Sequence, residues 1–136
     1  MTHEILDHTA DVGFRAKGDT LAEAFESATR AFAEIVSYEE PPEATDTIEI
    51  EVDAEGEDIE ALLFDYLARL IYVQDVEGVV VVDADAEATE EPPRVKATLH
   101  VAPTRRGYMD IKAPTYNEML VKRDDDGWTL EAVLDI

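Results

Sequence analysis

Residues 6–14 read LDHTADVGF, and within five positions they carry Asp7, His8 and Asp11. Carboxylates beside an imidazole can hold a hard cation or exchange protons. An aspartate where a loop turns into an apolar strand can equally close an Asx turn. His8 has only His3 and His100 for company, so the spacing of a zinc site is not written here. Ser27 and Ser37 are the only serines, and neither stands in a G-x-S-x-G elbow. No cysteine is present, and the six glycines form no phosphate-cradling loop. Lys112 is the one lysine in an unusual context, IKAPTY, although Schiff-base chemistry would require it to be desolvated.

The opposite end supplies the complement to Asp11. The sequence closes on VLDI, with Asp135 facing away from Leu134 and an apolar Ile136 last. A segment of this kind is expected to be docked as a strand, bringing the carboxylate of Ile136 beside that of Asp135. Carboxylates gathered in one place repel unless protonated or bridged by a cation. Oxygen-only donors favour calcium or magnesium over zinc or copper. The expected centre is therefore Asp11, Asp135 and Ile136, provided the two ends of the chain meet.

Elements able to bring them together are visible in the pattern. Segments 4–6 and 12–17 read as strands around the HTAD turn. Thr20 followed by Glu23 is a capping box, and Leu21, Phe25, Ala28, Phe32 and Ile35 recur at helical spacing until EEPPE at 39–43. TIEIEVDA alternates apolar and acidic residues, as a half-buried strand does. Asp58 or Glu57 starts a second helix, whose broad stripe from Ile59 to Ile71 suggests the central place on the core. GVVVV at 78–82 and the alternation from Val95 to Val101 give two further strands, joined by a polar loop at 87–93. Pro114 interrupts a ladder and favours an edge, a bulge or a turn for its segment. DDDG at 124–127 is a turn, after which Trp128, Leu130, Ala132, Leu134 and Ile136 share a face. The expected architecture is α+β: two helices on a largely antiparallel sheet, as one domain over residues 1–136.

Composition bounds the setting. A chain of 136 residues that is 46% hydrophobic can bury a core, and it has no apolar run long enough to span a bilayer. Thirty-three acids against eleven Lys and Arg give a net charge of −22. Such self-repulsion is relieved by concentrated salt, so the acids read as halophilic solvation in a cytoplasmic protein. Broad nucleic-acid binding is disfavoured, because phosphate affinity comes from Lys and Arg. Seven of the eleven cations fall between Arg94 and Arg123.

HTADVGF, GDTLAEAFESATRAF, EALLFDYLARLIY, IKAPTY and VLDI, in that order over nearly the whole chain, resemble the archease family. The resemblance implies a small α+β protein that is not itself an enzyme. It implies activation of the GTP-dependent RNA ligase of tRNA splicing, by promoting guanylate loading and turnover, with a broadened choice of nucleotide. Contact with RNA would be only indirect. It also implies metal ligands at Asp11, Asp135 and Ile136 for a divalent ion, calcium first and magnesium or manganese otherwise, and a partner-activating role for Lys112. Pro114 and Asn117 depart from the commoner Lys-Ala-Val-Thr-Tyr-His. Two rival readings are a metal-dependent phosphoester hydrolase using Asp7, His8 and Asp11, and a chaperone-like acidic interaction module.

Overall fold

In the computed structural model, which describes residues 1–7, 11–38 and 40–136, the period-two segments are strands and the helical stripes are helices. Chain order is β1 (Thr2–Asp7), β2 (Asp11–Gly18), α1 (Leu21–Ser37), β3 (Asp46–Asp53), α2 (Ile59–Glu77), β4 (Val79–Thr89), β5 (Arg94–Pro103), β6 (Ala113–Asp124) and β7 (Gly127–Asp135). The α+β class is as expected, and each described strand pair is antiparallel. The strands divide between two sheets, ordered β1-β2-β7-β6 and β3-β5-β4.

That division decides which helix is central, and here the stripe on α2 misleads. α1 packs against β2 of one sheet and β4 of the other, and it buries most of its circumference, from Leu21 and Ala24 to Ile35 and Val36, leaving a polar stripe of Glu23, Glu26, Arg30 and Glu34. Its alanines at 24, 28, 31 and 33 make this possible: small side chains let a sheet approach from either side. α2 buries one side, including Leu62, Leu63, Tyr66 and Leu70, against β6 of one sheet and β3, β4 and β5 of the other, less extensively than α1.

The ends of both helices follow from local chemistry. Thr20 accepts the amide hydrogen of Glu23 at 3.1 Å. The Glu23 carboxylate reaches back one residue further than in the usual capping box, to the amide of Asp19 at 3.1 Å. Asp58 caps α2 by accepting from the amide of Ala61 at 2.9 Å. α2 stops at Gly78 in the left-handed region, at φ 66°. α1 stops at Tyr38, also left-handed at φ 56°, where a side chain is strained and glycine is the usual occupant.

Two strands, β4 and β7, differ from expectation, and β6 meets it. β4 runs on to Thr89, because DADAEAT continues the period-two alternation, and the expected loop at 87–93 shrinks accordingly. β6 is an edge strand, which tolerates Pro114, and its register against β7 shifts between Thr115 and Leu120. β7 ends at Asp135, and Ile136, 37% exposed, does not share the buried face of Trp128, Leu130, Ala132 and Leu134.

The outer edge of β4 is occupied by side chains from the helices. The amide of Val81 donates to Gln74 at 3.0 Å and that of Ala86 to Glu26 at 2.8 Å. Between the helices, the buried Tyr66 ring meets Phe25 edge-on, with centroids 5.1 Å apart. The Tyr66 hydroxyl lies 2.6 Å from Thr29 Oγ1, and Thr29 donates to the Phe25 carbonyl at 2.8 Å. Thr29 has spent its hydrogen, so Tyr66 is the donor between the two. Burial pushes the Tyr66 phenol far above its ordinary range, keeping it a donor.

The two ends of this hydrogen bond should not be equivalent. Thr29→Val strands a buried phenolic donor and should cost about 1–3 kcal/mol. Tyr66→Phe leaves the Thr29–Phe25 bond intact and should cost no more than about 1 kcal/mol. Urea denaturation of both variants would measure this, and the reverse ranking would refute the donor assignment.

Candidate metal centre

The site begins with the register of β2 on β7. Val12, Phe14 and Ala16 must face the core, as must Trp128, Leu130, Ala132 and Leu134, and pairing that satisfies both sets Asp11 opposite Asp135. Directly opposed residues in an antiparallel pair point to the same face, with Cβ atoms about 4.5–5.5 Å apart. Two carboxylates are thus held together on the outward face, at the end of the sheet where the chain finishes. Asp135 is exposed and Asp11 partly buried.

The next strand joins the same row. Ala113 of β6 pairs with Asp135 from the other side, and the amide of Lys112 donates to the Asp135 carbonyl at 2.9 Å. The backbone of Lys112 is therefore fixed beside Asp135, while its side chain is exposed and makes no ion pair among the described residues. Asp11, Lys112, Asp135 and Ile136 meet at one end of the four-stranded sheet. His8 lies outside the described residues, as does the side chain of Asp7, and with them the expected hydrolase constellation. Pro114 is buried in the edge strand and Asn117 is exposed within the irregular stretch of β6.

Two motif residues have structural duties not evident from the sequence. Gly13 lies where β1 and β7 both crowd β2, and a Cβ there would stand 3.2 Å from the Ala132 carbonyl oxygen and 3.5 Å from Leu6 Cβ. Tyr116 of IKAPTY stacks on Phe64 of α2 at 4.3 Å between centroids and 5° between planes. The stack ties the irregular stretch of β6 to α2, four residues after Lys112. Desolvation raises the Tyr116 phenol above its ordinary value, and the carboxylates of Asp65, Glu57 and Asp58 add to the effect. Phe64 stands off the buried stripe of α2, where Tyr116 covers it.

The donor set suits a hard cation. Two carboxylates with a main-chain oxygen of Ile136 offer oxygen alone, as calcium and magnesium prefer. Among the described residues no group of three His, Asp or Glu side chains is gathered for a metal.

The sequence matches the model of the Archease protein family over residues 3–136. The chain belongs to the archease family. Protein archease of Pyrococcus abyssi is 36% identical to it, over 98% of this chain and 97% of its own. Protein archease of Methanosarcina acetivorans is 32% identical over 98% and 95%. The solution structure of protein 1598 from Methanobacterium thermoautotrophicum is similar with a TM-score of 0.76 at 25% identity, covering 98% of both chains. The crystal structure of a Thermotoga maritima archease, described as a possible chaperone, shares the fold with a TM-score of 0.61 at 22% identity, over 96% of this chain and 94% of its own. No helix among the described residues of this archease is long and apolar enough to cross a membrane.

Opposed like charges destabilise a sheet. In chelator and moderate salt, Asp135→Asn should therefore raise the unfolding free energy by roughly 0.5 kcal/mol. Urea unfolding tests this, and a loss of stability would mean that the carboxylates do not repel across β2 and β7.

Proposed function

We propose that this archease is an accessory protein and not an enzyme: it activates the GTP-dependent RNA ligase that joins tRNA exon halves. It would promote transfer of guanylate to the ligase and sustain multiple turnover, with a broadened choice of nucleotide. The observation that carries the reading is the row Asp11–Asp135–Ala113, with Lys112 tied by its amide to the Asp135 carbonyl. It sets an acidic pair and a lysine at one end of a rigid sheet, where they can enter a partner's site together.

The divalent ion, calcium by preference, would be held by Asp11, Asp135 and a main-chain oxygen of Ile136. When bound it supplies positive charge to a phosphate-rich environment. The chain's own part is positional. The β2–β7 register holds the carboxylates side by side, and the β6 edge presents the Lys112 ammonium as a point charge for a phosphate or a partner carboxylate. The charge of −22 is read separately as adaptation to a salt-rich cytoplasm, where screening relieves the repulsion.

Guanylylation of the ligase, with and without this archease, tests the assignment. Wild type should stimulate it, and Asp11→Asn or Asp135→Asn should reduce the stimulation by on the order of tenfold or more. Lys112→Ala should lose stimulation while keeping any gain in melting temperature on adding calcium. The stabilisation behind that gain would amount to about 2.7 kcal/mol at a hundredfold excess over Kd, and Asp135→Asn should lack it. Full stimulation by a folded Asp11→Asn variant would remove the metal-bearing end from the mechanism. Turnover of phosphoesters by the purified chain alone would favour a hydrolase. Melting temperature should also fall as potassium chloride is withdrawn, and a salt-independent midpoint would overturn the halophilic reading.

A further inference from the structure

The face of the four-stranded sheet that carries Asp11 and Asp135 holds a second row beside theirs. Leu6 pairs with Gly13, Gly13 with Val133 and Val133 with Thr115, so these four residues lie side by side across β1, β2, β7 and β6. Alternate residues of a strand share a face, which sets Thr115 with Ala113 and Val133 with Asp135. Thr115 is therefore the diagonal neighbour of Asp135. Pro114, between Ala113 and Thr115, turns the other way, opposite the buried Leu134.

This second row is apolar except where it ends on β6. Val133 is only 4% exposed, although Asp135 on the same face of β7 is exposed. The hydroxyl oxygen of Thr115 is buried as well, and it has no hydrogen-bond partner among the described residues. An unpaired buried hydroxyl is costly, and native proteins seldom carry one without a reason. Valine would fill the same space in a strand without that cost.

Two carboxylates lie diagonal to Thr115 on β7. That of Glu131 is engaged by Arg15 at 3.1 Å. That of Asp135 forms no ion pair among the described residues. Diagonal neighbours stand about 7–8 Å apart, and somewhat less between Cβ atoms. A calcium ion with an oxygen about 2.4 Å away on either side spans well over half of that separation, and the side chains supply the rest.

We infer that Thr115 is a further ligand of the divalent ion, its hydroxyl oxygen joining the carboxylates of Asp11 and Asp135. The inference rests on the metal centre proposed above and adds to it a donor from the edge strand. A hydroxyl is a hard oxygen without charge, so it suits calcium and adds nothing to the repulsion between the two carboxylates. Thr115 is also the last residue of β6 in register with β7 before the shift to Leu120. An ion held there fastens β6 to β7 where their regular pairing stops. Each of β2, β7 and β6 then contributes one side-chain ligand.

Calcium binding by the purified chain in concentrated potassium chloride should be measured by calorimetry for wild type, Thr115→Val, Thr115→Ser and Asp135→Asn, with urea unfolding in chelator alongside. Thr115→Val should weaken binding by on the order of tenfold. In chelator it should be at least as stable as wild type, since a methyl group replaces an unpaired hydroxyl. Thr115→Ser keeps the oxygen and should bind nearly as wild type does. A hydroxyl that serves only the fold, through a buried water, predicts the opposite pattern: lower stability of Thr115→Val in chelator and unchanged calcium affinity. That result would overturn the inference. Wild-type affinity in Thr115→Val, beside its loss in Asp135→Asn, would remove Thr115 and leave the centre standing. Failure of wild type to bind calcium, magnesium or manganese would overturn the centre and the inference together.

Discussion

The pairing of β2 with β7 fixes everything that could be chemically useful in this protein. Its register follows from two apolar faces that must both point inward, and a slip of one residue would put Phe14 and Leu130 on opposite faces, turning one strand's apolar set outward. With that slip forbidden, Asp11 has no choice but to face Asp135. Two like charges are an unfavourable pair on a sheet, tolerated because core packing outweighs so small a repulsion. The hydrophobic pattern thus enforces an electrostatic arrangement that the carboxylates would not adopt by themselves.

The same logic runs through the segment from β5 to β6. Its hydrogen bonds to Gly78, Val36 and Asp135 join the ends of α2, α1 and β7, so one connection reads the position of three elements. Lys112 owes its place beside Asp135 to this connection, and the Tyr116–Phe64 stack anchors the strand that follows. Side chains with little local structure of their own are fixed by neighbours on either side.

Much of this was legible in the sequence wherever a local rule dominates. Thr20 and Asp58 start helices because their oxygens satisfy free amides, and TIEIEVDA could hardly be other than a half-buried strand. The meeting of Asp11 with Asp135 was also readable, since both flank apolar runs at opposite ends of the chain. Less was visible where the outcome depends on three dimensions. α2 carries the bulkier stripe, yet the alanines of α1 win the central position, because what matters between two sheets is how closely each can approach. The expected burial of Ile136 failed because β7 ends one residue earlier. The left-handed Tyr38, likewise, lacks the glycine that normally marks such a stop.

The occupation of the β4 edge by Gln74 and Glu26 has a bearing on self-association. A bare strand invites a neighbour's backbone, and here two of the amides that would welcome it, those of Val81 and Ala86, are engaged from within. On the far rim of the same sheet, β3 turns Glu49, Glu51 and Asp53 to one side, so a second copy approaching in register would meet its own charge. Edge-to-edge growth through this sheet is therefore disfavoured by two engaged amides at one rim and by repulsion at the other, and a crowded, salt-screened solution that weakened the second would leave the first in force.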